Sequence, residues 1–138
     1  MSGGTDQLAA RVDAIALKVT GVLAVIRARA PHATVVVVGY LPILPPSIGC
    51  WPAVPLAVGD VPYLHGIQRR LGGMLAAEAR AAGAVSVDPS GITGHDSCQL
   101  PWRRWVEPTI PAAPTTPFHP NATGQRNLAN LVVAALGR

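Results

Sequence analysis

Aromatic and charged residues are both scarce in this sequence. Phe, Tyr and Trp make up 4% of it and Asp, Glu, Lys and Arg only 13%. So few charges, set against 49% hydrophobic residues, exclude an extended disordered chain and leave enough apolar material for a core. The net charge is +4, but only one lysine contributes and the arginines are scattered. The close pairs are Arg69/Arg70 and Arg103/Arg104, and no basic stripe interleaved with aromatics occurs, so no nucleic-acid partner is expected. No apolar run reaches the ~18 residues of a transmembrane helix. The N-terminus as given, MSGGTDQLAARVDA, has no charged segment leading into an apolar one, so no signal peptide is read there. Internal repeats and low-complexity linkers are also lacking. Only two cysteines occur, Cys50 and Cys98, and their spacing alone leaves free thiols and a disulfide equally open.

The apolar pattern is plentiful. Leu8, Val12, Ile15, Val19, Val22 and Ile26 recur at helical steps, which predicts a helix over 5–29, capped by Thr5 or Asp6 and ended before Pro31. In ATVVVVGY (33–40), four consecutive valines without alternation predict a strand covered on both faces, as in a parallel sheet. Five prolines in 41–59 exclude a helix or a central strand and mark a long loop of the kind that carries function. A second helix is expected over 60–82, with Asp60 as its cap, Ile67, Leu71, Met74 and Leu75 on its buried face and Gly83 closing it. AVSVD (84–88) reads as a second strand, and a second long loop runs to 119. A last helix spans about Ala122 to Leu136, with Asn121 as its N-cap and Leu128, Leu131 and Val132 on its apolar face. Helices alternating with strands give an α/β protein, and right-handed crossovers make the strands parallel. Both long loops then leave the carboxyl edge of the sheet, where sites form in such folds.

His119, in PFHPNATGQ, stands at that edge, one turn ahead of a helix start. The positive end of a helix dipole suits a neutral ring, and a neutral imidazole can accept a proton as a general base. An acid three residues earlier would orient the ring, but that position is Thr116, which offers only its main-chain carbonyl. His95, Asp96 and Cys98 have a spacing compatible with zinc, but loop polar residues account for them better, so neither metal nor cofactor is expected. Asp88 is read as a turn opener, Glu107 as half of a surface pair with Arg103 or Arg104, and the three tryptophans as loop anchors.

PFHPNATGQ, preceded by GHDSC and RWVEP and followed by an amphipathic helix, resembles the C-terminal part of the SGNH (GDSL-type) hydrolases, nearest to secreted bacterial esterases and lipases. VVVVGYLPILP, the Cys50 loop and VPYLHGIQRRLGGMLAAEARAAGAVSVD extend the likeness over residues 20–138. The resemblance implies part of a three-layer α/β/α, flavodoxin-like fold with a parallel sheet whose N-terminal strands are missing. Residues 1–138 are read as one partial domain. It implies hydrolysis of small-molecule or lipid esters, a secreted protein, His119 as general base with the Thr116 carbonyl as its orienting group, and a Cys50–Cys98 disulfide. The family's nucleophilic serine in a GDS block and its GxND block do not occur in this sequence. Ser2, Ser47, Ser86, Ser90 and Ser97 stand in no nucleophile-like context. The expected activity is therefore ester hydrolysis with the nucleophile outside this chain, in a missing N-terminal half. The alternative is a truncated, non-catalytic remnant or interaction module of the same fold. With few strands to pair, the isolated chain is expected to be marginally stable or prone to aggregate.

Overall fold

The computed structural model describes residues 6–137. Three helices, α1 (Gln7–Arg29), α2 (Asp60–Ala81) and α3 (Ala122–Ala135), alternate with two short strands, β1 (Val36–Val38) and β2 (Val85–Val87). The strands pair in parallel with Val37 opposite Ser86, as expected, but β1 is not covered on both faces as the valine run predicted: Val36 and Val37 are half-buried and Val38 is exposed. A single 3₁₀ turn, Pro89–Gly91, follows β2.

The helix starts follow local chemistry. Asp6 caps α1 by accepting the Ala9 N–H, while Ser2 and the alternative cap Thr5 lie outside the described residues. Asn121 caps α3 by accepting the Gly124 N–H at 3.0 Å. At α2 the expectation is corrected. Gly59 occupies the cap position without a side-chain bond, and Asp60 is already helical, its carboxylate in the first turn. Gly83 lies just past the end of α2 at φ +65°, the left-handed conformation that lets a helix close without a Cβ clash.

Burial departs from the apolar pattern. The residues of α2 that are buried are Val61, Gly72, Ala76 and Ala79, whereas Ile67, Leu71, Met74 and Leu75 are only half-buried. In α1 only Val12 and Leu23 are buried, and Ile15, Val22 and Ile26 of the predicted stripe are exposed. Their apolar face and β1 flank an open groove of about 350 Å³ containing Val19, Val22, Ile26 and Val35–Val37. Periodicity identifies which face of a helix is apolar, not what covers it. Trp51 and Trp102, read as anchors, are also exposed, at 74% and 77%.

The best-packed region lies beneath the two long loops. Leu44, Val54 and Val61 form its core, with Ile43, Leu64, Phe118 and both cysteines against them. Cys50 and Cys98 form a disulfide that joins one loop to the other across 48 residues. Closing a loop of that length is worth about 4 kcal/mol in the chain-entropy model. Reduction, or the C50A/C98A double variant, is therefore expected to lower the urea midpoint markedly. An unchanged midpoint would show that loop packing alone holds this region.

Candidate active site

Three segments converge at the carboxyl end of β1: the turn after the strand (Gly39–Ile43), the stretch 104–107 of the second loop, and the loop end that runs into α3. They wall a largely apolar cleft of about 480 Å³ containing Val38, Tyr40, Ile43, Phe118, His119 and Leu128. His119 is thus placed at the sheet edge that the topology indicated, in an exposed position.

Its ring is held by Nδ1, 2.9 Å from the carbonyl oxygen of Pro117. The carbonyl can only accept, so Nδ1 carries the proton, and in the neutral ring Nε2 then holds the free lone pair. The orienting carbonyl is therefore not that of Thr116. The Thr116 oxygen instead accepts the backbone N–H of His119 itself at 3.2 Å, which closes a tight turn. Within this turn Phe118 has φ 60°, the left-handed region that residues with a Cβ seldom enter.

Behind the turn lies a buried polar cluster. Glu107 is only 1% exposed and Arg104 8%, so the expectation of a surface pair is corrected. The Arg104 guanidinium donates to Glu107 Oε2 at 2.6 Å, and the Ala112 N–H donates to the same oxygen at 2.9 Å. Asn121 Nδ2 donates to Glu107 Oε1 and to the Arg104 carbonyl, both at 2.9 Å. Burial pushes the Glu107 carboxyl up. The Arg104, Asn121 and Ala112 donors outweigh it and hold the group at about 2. The backbone completes the tie. Val106 bridges Pro120, Glu107 donates its N–H to the His119 carbonyl, and Phe118 donates its N–H to the Glu107 carbonyl.

α3 enters this cluster closely. A Cβ built on Gly124 would overlap the Trp105 carbonyl. Overpacking of this kind costs about 1–3 kcal/mol. G124A is expected to destabilise by that amount in urea unfolding, although alanine favours a helix elsewhere; a stabilised variant would refute the close contact.

The other polar loop residues weighed in the sequence serve structure. Asp88 accepts the Ser90 N–H in a turn. Asp96 accepts the Cys98 N–H and the Gln99 amide. Cys98 is in the disulfide and His95 stacks on Trp105 with ring centroids 3.9 Å apart, so the His95–Cys98 spacing serves the loop rather than a metal. The Ser97 hydroxyl donates to the Ile43 carbonyl. Among the described residues, no serine hydroxyl is hydrogen-bonded to His119.

The family model for the GDSL-like lipase/acylhydrolase family matches residues 1–126. A curated relative, Lipase 2 of Streptomyces coelicolor, is 44% identical over 115 residues, covering 81% of this chain and 39% of its own length. The crystal structure of phospholipase A1 from Streptomyces albidoflavus superposes with a TM-score of 0.71 at 25% identity, covering 92% of this chain and 56% of that one. The chain thus spans about two-fifths of the curated relative and just over half of the structural one.

Proposed function

The chain belongs to the GDSL-like lipase/acylhydrolase family, and on that premise we propose that it is the histidine-bearing part of a secreted serine ester hydrolase, with His119 as its general base. The substrates are acyl esters of small molecules or lipids, a class consistent with the relatives being a lipase and a phospholipase. The observation that carries the reading is the Nδ1–Pro117 contact on the wall of an apolar cleft. A ring anchored through Nδ1 has Nε2 free to take the proton of a serine hydroxyl as that oxygen bonds to the ester carbonyl carbon. Nε2 then returns the proton to the departing alkoxide, and water repeats the sequence on the acyl-serine. The main-chain carbonyl fills the orienting place that an acid takes in a full triad. Tyr40, Ile43 and Phe118 give the cleft an acyl-compatible lining.

The serine comes from outside these residues. Ser97 and Ser90 are buried, at 1% and 5% exposed, and neither bonds to His119. The lack of a serine partner among the described residues also favours a second reading, a non-catalytic module of the fold. Hydrolysis of a short-chain p-nitrophenyl ester separates the two. Under the first reading the 138-residue chain alone is inactive, and the gene product read in frame from any upstream GDS and GxND coding sequence is active. An upstream region that encodes neither block leaves the second.

A further inference from the structure

We propose that Glu107 is the positioning residue for His119, holding the base in the tautomer that catalysis needs; this rests on reading His119 as the base. The imidazole is oriented by the Pro117 carbonyl, and that carbonyl belongs to the peptide unit between residues 117 and 118. Its direction relative to His119 is set by rotation about the N–Cα bond of Phe118, whose φ of 60° is unfavourable for a residue with a Cβ. That angle sits between two hydrogen bonds, and both end on Glu107. The Phe118 N–H reaches the Glu107 carbonyl and the His119 carbonyl receives the Glu107 N–H, each at 3.0 Å.

The Glu107 side chain then fixes its own backbone from three directions. Oε2 takes Arg104 and the Ala112 N–H, and Oε1 takes Asn121, the residue that starts α3 two positions after the base. Three donors converge on two oxygens, which is work for a carboxylate. A glutamine of the same shape would turn an NH₂ toward at least one of these donors. A buried polar cluster of this kind selects one arrangement of the segments it joins. Here the selected arrangement is the one that aims the Pro117 carbonyl at Nδ1.

Side-chain nitrogen NMR of the uniformly ¹⁵N-labelled chain tests this above the titration range of the rings, with His119 assigned by its loss in H119Q. In the wild type, His119 is expected in the Nδ1–H form. In E107Q its tautomer ratio is expected to shift toward the other form by roughly two- to tenfold, as loss of one net hydrogen bond implies. N121S keeps an oxygen to cap α3 but removes the donor to Glu107, and is expected to shift the ratio the same way. His65, whose Nδ1 lies 2.9 Å from the Leu44 carbonyl and has no hydrogen bond to the Glu107 cluster, should not change in either variant. An unchanged His119 ratio in either folded variant overturns the proposal. So does a shift of His65 in parallel, which marks general loosening. Failure of His119 as a base would appear in the hydrolysis assay with the wild-type tautomer intact, so the two claims fail separately.

Discussion

Replacing His119 with alanine is expected to lower kcat for a p-nitrophenyl ester by on the order of 10⁴- to 10⁶-fold in the serine-containing enzyme, with KM little altered. Members of a catalytic group act as a unit, so removing the base costs nearly as much as removing the nucleophile. The orienting carbonyl belongs to the backbone of Pro117, so no side-chain substitution at Thr116 should reproduce the loss. T116A is expected to retain nearly all activity, because the Thr116 contribution to the turn is its main-chain oxygen. Steady-state kinetics on the two variants decide the matter. A tenfold or smaller loss in H119A would remove His119 from the chemistry, and a large loss in T116A would show that the Thr116 side chain acts beyond its main-chain oxygen.

The second large effect concerns Glu107. E107A is expected to destabilise the chain by about 3–5 kcal/mol, because it leaves Arg104 as a buried charge without its partner. R104M/E107M removes both charges and should recover part of that loss, although the Asn121 amide and the Ala112 N–H still lose an acceptor. The same carboxylate gives a pH dependence. Its pKa is about 2 in the folded chain, against an ordinary value of 4.5, so it binds protons less readily folded than unfolded. Its stabilising contribution, on the order of 3 kcal/mol, is therefore complete above about pH 4.5 and lost as the pH falls toward 2. Urea midpoints followed by circular dichroism should fall through that window in the wild type. E107Q should show a flatter profile. Parallel profiles would mean that other carboxylates govern acid stability.

Much of this architecture is legible in the sequence because local chemistry decides it. Asn121 before an amphipathic run gives the cap and the start of α3. Gly83 after α2 supplies the left-handed residue that ends it, and four valines in a row give a strand of a parallel pair. The position of His119 at the carboxyl edge follows from the order of elements. The disulfide came from family likeness, since spacing says nothing about how near two loops lie.

What the sequence hid depends on packing between distant segments. Arg104 and Glu107 are three residues apart, and such a pair reads as surface-exposed. Only the Ala112 loop and the start of α3, folded over it, make it buried. The stripe Ile15–Val22–Ile26 shows an apolar face, yet most of it is open here. The choice between Thr116 and Pro117 as ring acceptor turns on one φ angle at Phe118, which no residue pattern announces.

His119 is proposed to activate a serine that these residues do not contain. Labelling the ester-hydrolysing gene product with a fluorophosphonate and locating the adduct by peptide mass spectrometry tests it most directly. One labelled serine is expected, outside residues 1–138, with labelling abolished in H119A and absent from the isolated chain. An adduct on Ser2, Ser47, Ser86, Ser90 or Ser97, or labelling that persists without His119, would contradict it.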